Sequence, residues 1–200
     1  MELIPIGEDA LLVEVDDSDA ALALALWARA HVKAREVVPA ARSVLLDGVV
    51  EPAAVAARVF DRQADWATGA ATSEGALVEI PTVYDGADLD DIAALWRCTV
   101  AEVVERHTAI EYRVAFCGFA PGFAYLSGLP AAWAVGRLAE PRTRVPAGSV
   151  ALADTWCGVY PTASPGGWRL LGRTDAALWD VDREPPALLP PGARVTFVAR

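Results

Sequence analysis

Tyr112-Arg113-Val114-Ala115-Phe116-Cys117-Gly118-Phe119-Ala120-Pro121-Gly122 opens as a short apolar run and breaks into a turn made of Gly and Pro. The same alternation returns at residues 149–153, 168–171 and 194–198, and ten of the 15 Gly and ten of the 14 Pro lie after Ile110. Short apolar runs punctuated by chain-reversing residues predict a small β-barrel or sandwich. Two helical pieces precede it, at 89–96 and 100–108. Thr99 with Glu102 gives the second a capping box, in which hydroxyl and carboxylate satisfy each other's backbone N–H.

Upstream the composition changes. Residues 1–75 carry 13 acids against 6 bases, and the rest 14 against 11. Residues 67–75, Ala-Thr-Gly-Ala-Ala-Thr-Ser-Glu-Gly, are small, polar and without periodicity, which predicts a linker between a unit at 1–75 and a unit at 76–200. In the first unit, 10–15 reads as a strand and 18–35 as a helix with Leu22 and Leu26 at helical spacing, begun by Asp16, Asp17 and Ser18. Two short strands at 36–39 and 43–47, a helix at 52–66 and a closing strand at 77–80 complete an α+β, ferredoxin-like split βαβ order.

The formal charge of -10 excludes a general phosphate-neutralising surface. Lys33 is the only lysine, so a phosphate-binding Gly-Lys loop is absent and Schiff-base chemistry has little to work with. His31 and His107 make no His-x-x-x-His pair, and Cys98, Cys117 and Cys157 show no Cys-x-x-Cys spacing, so no metal site and no disulfide framework are expected. The opening Met1-Glu2-Leu3-Ile4-Pro5 lacks a signal-peptide pattern, and the longest apolar run, 20–28, is too short to span a membrane. The expectation is a soluble, cytoplasmic protein.

Three segments could hold chemistry. In Phe116 to Pro130, Gly118 and Gly122, either side of Pro121, permit close backbone approach while Phe119, Phe123 and Tyr125 supply flat apolar walls: a binding wall, or the plug of a barrel end. In Glu140-Pro141-Arg142-Thr143-Arg144-Val145-Pro146-Ala147-Gly148-Ser149, arginines at i and i+2 of an extended chain face one side and suit a carboxylate or phosphate, unless they pair with Glu140 or Asp154. In Tyr160 to Thr174, Ser164-Pro165-Gly166-Gly167 is either an anion-cradling nest or a plain turn, with Arg173 downstream. No Gly-x-Ser-x-Gly elbow supports a serine nucleophile. His107, at the end of a capped helix, reads as a helix-end cation rather than a base.

Taken together these segments resemble the family of the B-type 5-oxoprolinase subunit, also called allophanate hydrolase subunit 1, whose relatives include an inhibitor of a sporulation sensor kinase. The resemblance rests on Gly118-Phe119-Ala120-Pro121-Gly122-Phe123-Ala124-Tyr125-Leu126, Pro141-Arg142-Thr143-Arg144-Val145-Pro146-Ala147-Gly148-Ser149-Val150 and Ser164-Pro165-Gly166-Gly167-Trp168-Arg169-Leu170-Leu171-Gly172-Arg173-Thr174. It extends to Pro5-Ile6-Gly7-Glu8-Asp9-Ala10-Leu11-Leu12-Val13 and His107-Thr108-Ala109. It implies a small α+β domain followed by a cyclophilin-like β-barrel, working with a larger cyclophilin-like partner (the C-type 5-oxoprolinase subunit, or allophanate hydrolase subunit 2) and with a third subunit. The implied activity is opening of 5-oxoproline to glutamate at the expense of ATP with Mg. Under that resemblance Arg142, Arg144 and Arg173 are the catalytic anion clamp. Gly118, Phe119, Pro121, Gly122, Phe123, Tyr125, Ser149, Ser164, Gly166 and Gly167 line the substrate site.

The chain departs from the family pattern where Gly-x-Gln-Thr-Gly-Ile-Tyr-Pro is usual. Here Trp156 stands for glutamine and Cys157 for threonine, and Ala124 takes the place of a common proline. Losing an amide and a hydroxyl beside a pocket changes substrate choice or removes activity. Two other readings follow from the same resemblance: a urea- or allophanate-type carboxyltransferase or hydrolase subunit, marked by biotin dependence, and a non-catalytic inhibitor of a sensor histidine kinase, which would act without the large subunit.

Overall fold

The computed structural model describes residues 1–67 and 75–200, and the chain divides into two compact units, Met1–Glu74 and Gly75–Arg200. Thr68 to Glu74, most of the expected linker, lie outside the described residues.

The first unit is a four-stranded antiparallel sheet, β1 (Glu2–Ile6), β2 (Ala10–Glu14), β3 (Glu36–Pro39) and β4 (Ser43–Asp47), in the order β1-β2-β4-β3. One face packs on α1 (Ser18–His31), α2 (Pro52–Asp61) and α3 (Gln63–Ala67). Strand alternation points Leu11, Val13, Val44 and Leu46 at Leu24, Ala25 and Ala28 of α1, Val55 and Val59 of α2 and Trp66 of α3. Asp17 caps α1, its carboxylate accepting from the Ala20 N–H at 2.8 Å.

The first unit departs from the sequence expectation in three places. The helix of 18–35 stops at His31, because Arg35 is drawn into the sheet: its N–H bonds the Asp47 carbonyl at 2.7 Å and its guanidinium the Asp47 carboxylate at 2.6 and 2.9 Å. The helix of 52–66 breaks at Arg62, which lets Trp66 turn inward and donate its Nε1–H to the Val59 carbonyl at 3.2 Å. The fourth place in the sheet, beside β2, is taken by β1 and not by 77–80, so the ferredoxin-like order is not the one observed. Residues 77–80 belong instead to β5 (Leu77–Thr82), paired in parallel with β13 (Arg194–Ala199) in the second unit.

That unit is mixed α/β, with a seven-stranded, nearly closed sheet. Besides β5 and β13 it holds β6 (Tyr112–Cys117), β7 (Ala124–Ser127), β9 (Ser149–Ala153), β10 (Trp156–Val159) and β12 (Arg169–Arg173), in the order β12-β9-β10-β7-β6-β13-β5. A separate hairpin pairs β8 (Arg142–Val145) with β11 (Ser164–Gly166). Helices α4 (Leu89–Trp96) and α5 (Val100–Thr108) cover the interior, and the Thr99–Glu102 capping box is formed. Strand β9 is buried on both faces. Val150 and Leu152 enter the barrel core with Val114, Leu126, Val195 and Phe197, while Ala151 and Ala153 join an outer cluster with Phe123, Val145, Tyr160 and Trp168. Among the described residues no helix is long and apolar enough to cross a membrane.

The two edge strands meet through the segment after β5. Val83 and Arg173 exchange both backbone hydrogen bonds at 2.9 Å, Gly86 N–H donates to the Leu171 carbonyl at 3.0 Å and Asp88 N–H to the Leu170 carbonyl at 3.2 Å. A Cβ on Gly172 would run into the Val83 carbonyl, and one on Gly86 into that of Leu170. Asp88, 4% exposed, locks the seam: its carboxylate accepts from the Leu170 N–H at 2.6 Å and from the Arg142 guanidinium at 2.7 Å. Removing one partner of a buried ion pair leaves the other uncompensated. Asp88→Ala therefore lowers the unfolding free energy by about 3 kcal/mol in urea denaturation, against well under half that for Asp85→Ala, whose pair with Arg173 is exposed.

Candidate functional site

On the outer face of the barrel the loop between β6 and β7, the β8–β11 hairpin and the stretch before it enclose a cleft of about 280 Å³ lined by Phe119, Phe123, Tyr125, Arg137, Pro141, Tyr160, Pro165, Gly166, Gly167 and Trp168. Phe123 is its centre. Its ring stands edge-on to those of Phe119 at 5.3 Å, Tyr125 at 5.0 Å, Tyr160 at 5.4 Å and Trp168 at 5.4 Å, an arrangement that brings positive ring edges onto negative faces. The strand beneath must be bare to admit these rings. A Cβ on Gly158 of β10 would lie 3.1 Å from both Phe123 and Trp168, and one on Gly166 would strike the Tyr160 hydroxyl.

Phe119, Phe123, Tyr125, Gly166 and Gly167 from the expected substrate set line this cleft. Gly118, Pro121 and Gly122 shape the loop behind it: Gly118 N–H donates to the Phe123 carbonyl at 3.2 Å, and Gly122, with φ +84°, leaves no room for a Cβ against Trp179. Ser149 and Ser164 are not lining residues. The Ser149 hydroxyl donates to the Pro146 carbonyl at 2.8 Å, and the Ser164 hydroxyl is buried without a partner among the described residues.

The arginines fall differently from the expected clamp. Arg142 is held by Asp88, not by Glu140 or Asp154, and reaches the Trp168 carbonyl at 3.5 Å. Arg173 pairs with Asp85 at 2.9 Å. Arg144 is exposed and is not a lining residue. The cation that does line the cleft is Arg137, exposed and without an ion pair among the described residues. The sequence marks it only as the first of five arginines in 137–173, a stretch with two acids. Tyr160, Pro165 and Trp168 lie inside a segment whose Gly and Ser residues are its more conspicuous signal. Tyr160 is kept protonated: burial pushes its phenol up, and the Trp168 backbone, Arg137 and Arg142 only partly offset that. The cleft thus offers aromatic walls, the phenols of Tyr125 and Tyr160, and one guanidinium. Among the described residues no carboxylate, imidazole, thiol or aliphatic hydroxyl lines it.

His107 is corrected from helix-end cation to core residue. It is fully buried in the barrel, with Tyr84 Oη 2.7 Å from Nδ1, Cys157 Sγ 3.4 Å from Nε2, and the Phe197 ring 4.5 Å away. Burial holds its imidazole neutral, pushing its pKa down to about 3. Burial also raises the Tyr84 phenol and the Cys157 thiol, so all three stay uncharged. The two departures at 156 and 157 are accordingly unequal. Cys157 faces this interior network, whereas Trp156 packs edge-on to Phe116 at 5.4 Å, beside the cleft wall formed by Tyr125.

Along residues 1–189 the chain matches the family described as carboxyltransferase domain, subdomain C and D. It is 45% identical over 152 residues, 74% of this chain and 70% of the relative, to the B-type 5-oxoprolinase subunit of Escherichia coli O157:H7. It is 44% identical over 125 residues, 61% of this chain, to the B-type 5-oxoprolinase subunit of Bacillus subtilis, of which the match spans 52%. Among solved structures, TTHA0988 superposes with a TM-score of 0.77 at 34% identity over 96% of this chain and 40% of its own. Kluyveromyces lactis urea amidolyase superposes at 0.70 with 17% identity over 99% of this chain and 15% of its own, which shows the fold.

A buried neutral histidine has a pH signature. Because the folded state refuses a proton that the unfolded state binds below about 6.5, stability falls as pH drops below that value and continues to fall toward about 3. Urea denaturation should show a loss of about 2 kcal/mol between pH 6.5 and 5 that is absent from His107→Gln at the same pH values.

Proposed function

This chain belongs to the carboxyltransferase-domain family, and within it to the group of B-type 5-oxoprolinase subunits, and from that premise we propose that it is the cleft-bearing subunit of a lactam hydrolase complex. The reaction is the opening of 5-oxoproline to glutamate, in which one water adds across the ring amide and its C–N bond breaks, coupled to hydrolysis of ATP by a second water to ADP and phosphate. The observation that carries the reading is the cleft itself. Its size suits one small ring, its walls are flat and apolar, and Arg137 supplies one guanidinium for the carboxylate of such a substrate. Tyr160, protonated, donates to a carbonyl oxygen.

The same cleft does not fit ATP. A triphosphate needs several cations and room for base and sugar, and here one arginine stands in about 280 Å³. Among the described residues no group of His, Cys, Asp and Glu is arranged to hold a metal ion. Of the expected anion clamp, Arg142 and Arg173 are engaged by Asp88 and Asp85, and Arg144 does not line the cleft. In this proposal the nucleotide and its Mg belong with the larger cyclophilin-like partner and a third subunit. This chain binds and orients the lactam in its own cyclophilin-like barrel, and a cleft lining without a base or nucleophile among the described residues supports that division of labour. A carboxyltransferase reading is favoured by the family description alone, and a requirement for biotin would select it.

The deciding measurement is 5-oxoproline-dependent ADP release by the chain reconstituted with its partner subunits. We expect turnover only in the full mixture, and a KM for 5-oxoproline raised at least about tenfold in Arg137→Ala with kcat little changed, as for loss of a charge-assisted bond made equally in ground and transition states. An unchanged KM removes Arg137 from the site. No 5-oxoproline-dependent turnover in a stable complex overturns the substrate.

A further inference from the structure

The first unit's sheet has a second face, and its register lines up an apolar row across all four strands. Ile4 pairs with Leu12, Leu12 with Leu45, and Leu45 with Val38, so these side chains stand side by side on the face opposite the helices. None of the four belongs to the core that α1, α2 and α3 cover. All are at least partly exposed, Val38 by 45%, and Ile6 on the same face by 46%. An antiparallel sheet with one solvated face ordinarily alternates apolar-in with polar-out, and here the outward row is apolar as well. It is bordered by acids. Glu2 and Glu14 are direct cross-strand partners on one side, a like-charge juxtaposition that costs stability, and Glu36 lies opposite Asp47 on the other. Asp47 is paired with Arg35, but Glu2, Glu14 and Glu36 have no ion pair among the described residues. At the Glu2–Glu14 end a hollow of about 520 Å³ is lined by Met1, Glu2, Glu14, Asp16, Arg42 and Ser43 among others, three carboxylates against the Arg42 guanidinium and the Met1 ammonium.

We propose that this face docks a partner polypeptide presenting an apolar ridge with Lys or Arg beside it, the ridge covering Ile4, Leu12, Leu45 and Val38 and a basic side chain entering the hollow. Charge selects this occupant over a second copy of the chain, since apposing two such faces sets carboxylate against carboxylate. The proposal stands apart from the lactam reading, which concerns the other unit.

The test uses the full chain and a synthetic amphipathic peptide of Leu and Lys, with a Leu and Glu peptide of the same pattern as control. Titration calorimetry should show binding of the first alone. That binding should weaken at least about tenfold with Leu12→Gln/Leu45→Gln, and likewise with Glu2→Gln/Glu14→Gln or on raising salt from about 0.05 to about 0.5 M. Val38→Gln, at an exposed position, gives a smaller loss without disturbing the fold and serves if the double variant melts early. Undiminished binding in both Leu12→Gln/Leu45→Gln and Val38→Gln reduces the effect to bulk charge and overturns the proposal. So does equal binding of the Leu and Glu peptide. Sedimentation showing self-association that Leu12→Gln/Leu45→Gln abolishes assigns the face to a second copy instead.

Discussion

The second unit depends on how its sheet is closed. Seven strands leave two edges, β5 and β12, each with unpaired backbone groups, and the chain satisfies them by running the segment 83–88 along β12. That approach is close enough that Gly86 and Gly172 must lack side chains. Asp88 completes it at the point where the backbone turns into α4. It directs one carboxylate oxygen to the Leu170 N–H and the other to Arg142. Because Arg142 begins β8, the bond that closes the barrel also fixes the hairpin that walls the cleft.

From that anchor the geometry of the cleft follows. Arg142 pairs in register with Gly166, and its guanidinium touches the Trp168 carbonyl, so one side chain ties the hairpin, the residue carrying the indole and the seam together. The aromatic rings then need a floor of small residues, which β9 and β10 provide through Ala151, Ala153 and Gly158. The alternation of β9, Val150 and Leu152 inward, Ala151 and Ala153 outward, is the sequence expression of a strand with a bulky core on one side and stacked rings on the other.

Much of this is written in local pattern. The capping box at Thr99 and Glu102, the helices of 89–96 and 100–108, and the apolar strands at 112, 149 and 194 are short-range features, and they fall where periodicity and turn residues put them. Partnership across distance is not legible. Residues 77–80 have the composition of a strand for either unit, and only pairing with β13, more than a hundred residues away, decides the matter. Arg142 reads as an anion clamp because its partner, Asp88, lies 54 positions earlier, and no local signal joins them. Arg137 is only weakly marked for the converse reason: it is one of five arginines in 137–173, but it stands in a loop without a second cation beside it. His107 has the setting of a helix-end cation, and only the packing of Tyr84, Cys157 and Phe197 around it shows that it has no access to water.

Charge placement in each of the two units bears on one question, whether the chain is complete by itself. Among the described residues the second unit sets one cation in a cleft that has no acid or base, and the first gathers unpaired carboxylates around an apolar row on its open sheet face. Each arrangement costs free energy in isolation: exposed aromatic and aliphatic surface is poorly hydrated, and facing carboxylates repel. A protein that worked alone would gain by pairing the acids and setting polar side chains in the outward row. The arrangement is what a subunit would show if part of its surface, and part of its chemistry, were supplied by something else.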